Sequence, residues 1–313
     1  MDKPMTEDPV HPAEAGQSAR ADASGTVPRL VAVESRQRMR DGTELLLRTW
    51  EPDPRLCPEP LGCVLLVHGL AEHSGRYQHV AEALCGLGLR VRAYDQRGHG
   101  ASGGARMVAE HPDAYLDDLA EVHDAAVRAW NELPILLGHS MGGLVAARLA
   151  TGRVRPVRAL VLSSPALALR LSPAMLTIHR VLLTLGVAAR AEPDRRAHAV
   201  AHDAQVVRAT VPIRWCRPRS RPGVLESFIR GMAQAQADAP RLEAPMLMLV
   251  GGADRIVDPA GSRAFFDNAP ADLRDEVWFG QGYHEIFNEA EPLRSEVFAA
   301  LTDWLRRHMA PQG

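Results

Sequence analysis

Lysine is almost missing from this chain. Of its 36 basic side chains all but Lys3 are arginine, set against 38 acidic ones for a net charge of −2. A total so close to neutral leaves no electrostatic footprint for nucleic acid, and no such partner is expected. Cysteine is scarce too. Cys57, Cys63, Cys85 and Cys216 show no C-x-x-C spacing, which speaks against disulfide or metal frameworks. Cys63 and Cys85 lie in apolar stretches and read as buried thiols. No clustered ligand set calls for a metal, and no cofactor is expected. No apolar run approaches the ~20 residues that cross a bilayer. Residues 1–28 are rich in Ala, Pro, Glu, Asp and Ser and lack the basic start and apolar run of a secretory signal. They read as a disordered leader on a cytoplasmic protein.

What the chain does have is 46% apolar residues over 313 positions, enough for one large α/β domain with a smaller insertion. Leu30 to Glu34 and Glu44 to Trp50 read as strands joined through the hairpin signal Asp41-Gly42. Short apolar runs at 62–67, 89–94, 133–137, 159–163, 244–250 and 276–279 then alternate with helical periodicity. That alternation implies βαβ units in a mostly parallel sheet, whose ligands gather beyond the carboxyl ends of the strands.

The rhythm breaks over 165–240, which reads as a cap inserted between core segments 29–164 and 241–310. Within it, Pro173 to Val187 is an apolar helix candidate with Arg180 as its one full charge. Eleven arginines there face five acidic residues. They suit attraction to an anionic membrane surface or substrate, or serve as ordinary solubilising charge in a chain that uses arginine for it.

Gly138-His139-Ser140-Met141-Gly142 sits between a buried strand and an Ala- and Leu-rich helix. Gly-x-Ser-x-Gly in that setting is a nucleophile elbow, and its bland alternative is a turn with Ser140 as helix N-cap. A serine nucleophile needs a base and a carboxylate to hold that base, following in the order Ser, Asp, His at strand ends. Asp254 in Gly-Gly-Ala-Asp and His284 in Gly-Gln-Gly-Tyr-His meet that requirement. Asp258 is the rival acid, but it precedes Pro259 and fits a helix N-cap. The backbone N–H groups of Met141 and Leu70 are the candidates for an oxyanion hole. The chemistry proposed is acyl transfer to water. Glu72, His73 and Arg76 read as a structural network under the oxyanion loop, and His99 as a packing residue.

His68-Gly69-Leu70-Ala71-Glu72-His73-Ser74-Gly75-Arg76-Tyr77 resembles a block of the monoacylglycerol lipase and lysophospholipase group of α/β-hydrolases. Arg97-Gly98-His99-Gly100-Ala101-Ser102 and the Ser140 pentapeptide resemble two further blocks, and the likeness spans about 30–165 and 240–308. The resemblance implies an eight-stranded hydrolase core under a helical cap, no metal, and single-chain lipid esters as substrates. It implies, too, that Arg76 and His139 lie near the polar head of the substrate. Peripheral membrane contact through the cap is expected from its arginine excess and its apolar run at 173–187. A peptidase or amidase of the same fold, and a non-catalytic small-molecule binder, are the competing readings.

Overall fold

The computed structural model describes residues 30–106, 108, 111–170, 200–203, 205–206 and 223–309. Strands β1 (Val33–Arg38) and β2 (Glu44–Trp50) form an antiparallel hairpin. Gly42 turns the chain at φ +89°, and the Asp41 carboxylate accepts the Thr43 N–H at 2.8 Å. Strand β1 starts later than the apolar run at 30–34 suggests. It is an exposed edge strand, so no buried alternation marks it in the sequence.

Six further strands follow: β3 (Gly62–Val67), β4 (Leu89–Tyr94), β5 (Ile135–His139), β6 (Ala159–Ser163), β7 (Met246–Gly251) and β8 (Arg274–Phe279). The order across the sheet is β1-β2-β4-β3-β5-β6-β7-β8, with every pair from β4 to β8 parallel. Strands β3, β5, β6 and β7 are buried at every residue, which is why they read as continuous apolar runs.

The described helices are α1 (Gln78–Cys85), α2 (Ala114–Trp130), α3 (Met141–Thr151), α4 (Gly223–Asp238), α5 (Pro259–Asn268) and α6 (Leu293–Met309). Leu119 and Val122 of α2 and Leu144 and Ala147 of α3 join Leu65, Leu136, Leu160 and Leu162 of the sheet in one core. Each large aliphatic side chain so buried contributes about 2 kcal/mol. Helix α1 lies against β4, and α6 against β7 and β8. The buried Trp304 of α6 donates its indole N–H to Asp275 at 2.7 Å.

Residues 1–28, the run 173–187 and Cys216 lie outside the described residues. Helix α4 packs on α3, and its Met232 and Ala235 belong to the main core. Cys63 and Cys85 are free and buried, and burial pushes both thiols up to about 12. Among the described residues no helix is long and apolar enough to cross a membrane, and no group of side chains could hold a metal ion.

Candidate active site

Strand β5 ends at His139 and α3 begins at Met141, leaving Ser140 alone to make the turn. Its backbone is forced to φ 54°, ψ −118°, a strained conformation for a residue with a Cβ. The turn is possible because both flanking positions are glycine. A Cβ on Gly138 would meet the Gly142 carbonyl at 2.5 Å, and one on Gly142 would collide with the carbonyls of Val67 and His68. The outcome is a serine raised above the carboxyl ends of the parallel strands, its N–H anchored to the Ser163 carbonyl at 3.0 Å.

Two loops 30 residues apart supply the partners. Beyond β7, Asp254 is 1% exposed, and its Oδ1 accepts the N–H groups of Ile256 (2.7 Å) and Val257 (3.0 Å). Its Oδ2 accepts His284 Nδ1–H at 2.6 Å. That tautomer leaves Nε2 as an acceptor, and Ser140 Oγ–H donates to it at 2.8 Å. Serine, imidazole and carboxylate thus form one hydrogen-bonded line. Asp258 lies outside it and caps α5, accepting the Ala260 N–H at 3.1 Å.

The loop after β3 runs against the serine. A Cβ on Gly69 would lie 3.2 Å from Ser140 Cβ and 3.3 Å from the His139 ring, so the backbone approach depends on that glycine. The next residue, Leu70, is 40% exposed, and its N–H finds no acceptor among the described residues. Met141 opens α3, so its N–H has no intrahelical acceptor. His68 fixes the loop's base by donating from Nδ1 to the Gly69 carbonyl (2.7 Å) and accepting the Gln96 N–H at Nε2 (2.9 Å).

Beneath this loop lies a buried ionic network. Glu72 Oε1 accepts the N–H of Gly69 and the Tyr77 hydroxyl (2.8 Å), while Oε2 accepts Arg76 Nη1 at 2.9 Å. Arg76 continues to Glu285, the residue after His284, through Nη1 (2.9 Å) and Nη2 (2.6 Å). Burial opposes the charge on Arg76, but Glu72 and Glu285 outweigh it and carry its pKa above the ordinary value. Burial likewise opposes ionisation of Glu285, and Arg76 holds its carboxyl below the usual range.

His139 donates from Nδ1 to the Ser163 carbonyl at 3.1 Å, and its ring centroid lies 4.9 Å from that of His284. Burial, helped by the nearby His284, depresses its pKa to about 4. His99 packs edge-on to His68 and Tyr115.

Glu285 escapes a reading by motif because a carboxylate beside the base looks like surface charge. Its signal is the need of Arg76, in the loop after β3, for a second counter-charge. Glu289 is a similar case. It is wholly buried and accepts the N–H groups of Tyr283 (2.7 Å) and His202 (2.9 Å), tying residue 202 to the histidine loop.

A sheet of this strand order, with a strained serine lifted at its centre on a strand-to-helix turn, is the α/β-hydrolase architecture. Residues 58–291 match the family described as serine aminopeptidase, S33, and the chain belongs to that family. It is 34% identical to a monoacylglycerol lipase of Mycolicibacterium smegmatis, over 86% of this chain and 95% of that protein. It is 29% identical to the monoglyceride lipase of Homo sapiens, over 87% and 90% of the two chains. The crystal structure of a Paleococcus ferrophilus monoacylglycerol lipase superimposes with a TM-score of 0.71 at 32% identity, covering 84% of this chain and 99% of that one.

Proposed function

We propose that this protein is a carboxylic ester hydrolase for single-chain lipids, of the monoacylglycerol lipase or lysophospholipase type. The observation that carries the reading is the unbroken line from Ser140 Oγ through His284 to Asp254. Ser140 attacks the ester carbonyl while its proton passes to His284 Nε2. The tetrahedral oxyanion accepts hydrogen bonds from the Leu70 and Met141 N–H groups, each such donor being worth about 3 kcal/mol of barrier. As the intermediate collapses, the leaving alkoxide takes the proton from His284 and departs as the alcohol, and the acyl group stays on Ser140. Water then gives its proton to His284 and attacks the acyl-enzyme. The fatty acid leaves and Ser140 recovers its proton. Asp254 stays ionised throughout and stabilises the imidazolium.

Residues 165–240 serve in this reading as the cap over the site. Its apolar run Pro173 to Val187 serves to accept the lipid or to touch a membrane interface, and the enzyme is cytoplasmic with peripheral membrane contact. Arg76 and His139 lie on the head-group side of the substrate. Support for a lipid ester comes from the lipase relatives together with the serine line. The Arg-rich cap disfavours the aminopeptidase alternative, since a substrate ammonium would need an acidic pocket.

A substrate panel tests the reading. Turnover is expected with 1-monooleoylglycerol, lysophosphatidylcholine or both, and with p-nitrophenyl esters, while aminoacyl p-nitroanilides stay intact. Cleavage of the anilides without cleavage of any lipid ester would contradict it.

A further inference from the structure

A polar cleft of about 400 Å³ opens between the β1–β2 hairpin, β4 and α2, and no residue of the candidate active site lines it. The arginines Arg36, Arg38, Arg40, Arg92 and Arg128 line it, with Glu121 and Asp124 as its two carboxylates. The charge of Asp124 is taken up by an arginine outside the cleft lining, which leaves Glu121 alone against the five arginines. Asp124 accepts Arg155 through Nε (2.6 Å) and Nη2 (2.8 Å). Glu121 accepts the backbone N–H of Arg40 at 3.1 Å.

None of the five lining guanidiniums forms an ion pair among the described residues, whereas Arg48, Arg76, Arg97 and Arg148 elsewhere each close on a carboxylate. Arg92 is the telling one. It is partly buried, its Nε donates to Thr49 Oγ1 at 3.3 Å, and its guanidinium lies 4.4 Å from the Trp130 ring centroid. It is therefore held in place and drawn partly out of water, with Glu51 acting on it only at a distance and no carboxylate paired with it directly. Such an arrangement costs free energy unless an anion completes it.

We infer that this cleft binds a phosphate group, carried by a phosphorylated small molecule or by a lipid head group. A single carboxylate would leave most of the local positive charge unbalanced, whereas a phosphate monoester or diphosphate brings two or more negative charges. Planar guanidinium forks also pair naturally with phosphate oxygens. The volume lies within the range of small-ligand sites.

The test uses the full chain and the variants Arg40→Gln, Arg128→Gln and Arg92→Gln. Arg40 and Arg128 are exposed, so those two substitutions leave the fold and esterase activity at wild-type levels. Inorganic pyrophosphate is titrated calorimetrically at physiological ionic strength. In parallel, the protein is sedimented with phosphatidylcholine vesicles with and without phosphatidic acid. Binding of pyrophosphate to wild type, weakened about tenfold or more by each substitution, supports the site and a free phosphate ligand. Sedimentation that needs phosphatidic acid and is lost in the variants supports the site and a lipid source. Failure of wild type to bind either probe, or binding that the substitutions leave unchanged, overturns it.

Discussion

Arg76 and Glu285 stand 209 residues apart in the chain and are joined by two hydrogen bonds, of 2.9 and 2.6 Å. One end of this pair is tied through Glu72 to the Gly69 N–H, and the other is covalently next to His284. The loop that approaches the serine and the loop that carries its imidazole partner are therefore held by a single guanidinium.

Replacing Arg76 by Met leaves two carboxylates buried without a cation. Loss of one partner of such a pair costs about 3–5 kcal/mol, and the urea midpoint is expected to fall accordingly, with kcat falling as both loops loosen. Glu285→Gln keeps one acceptor for Arg76 and should lose less on both counts. A rise in KM alone for Arg76→Met, with kcat and stability intact, would instead make Arg76 purely a head-group contact.

The two aspartates near β7 have separable jobs. Asp254→Asn is expected to lower kcat by about 10⁴-fold through a misheld imidazole while the fold persists. Asp258→Asn should leave kcat near wild type and cost no more than about 1 kcal/mol of stability at the start of α5. Steady-state kinetics and urea titration on the two variants check both. The reverse ranking would shift the acid's role to Asp258.

Much of this architecture is legible in sequence because burial writes it there. Strands β4 and β6 coincide with the runs read at 89–94 and 159–163, and the interval from Ser140 to Asp254 to His284 follows from strand-end placement. Cys63 lies in a strand buried on both sides, and the thiol is buried as expected. The edge strand β1 is displaced from the sequence reading because solvent on its outer side removes the pattern. Glu285 and Glu289 are harder to foresee. Each is a buried carboxylate whose partner is far away in sequence, and local periodicity carries no trace of Arg76 or of the backbone at Tyr283.

Acid should weaken the fold in a defined window. Burial depresses His68, His99 and His139 to about 4, from an ordinary value of 6.5. Between those values the unfolded chain binds more protons than the native one, so stability falls as pH drops from 6.5 toward 4. Each ring adds a slope approaching about 1.4 kcal/mol per pH unit. Urea midpoints measured from pH 8 to pH 4.5 are expected to hold at first and then decline steeply, and His99→Gln should flatten the decline. Stability that is level down to pH 5 would contradict the neutral buried rings.

The most direct measurement is intact-mass and peptide mass spectrometry after reaction with a fluorophosphonate, read alongside hydrolysis of a lipid ester. The hydrogen-bonded line predicts a single adduct on Ser140, absent in Ser140→Ala, and formed at least about 10³-fold more slowly in His284→Ala, with ester turnover lost in step. An adduct that survives Ser140→Ala at another residue, or a His284→Ala variant that labels and hydrolyses at the wild-type rate, would contradict the account.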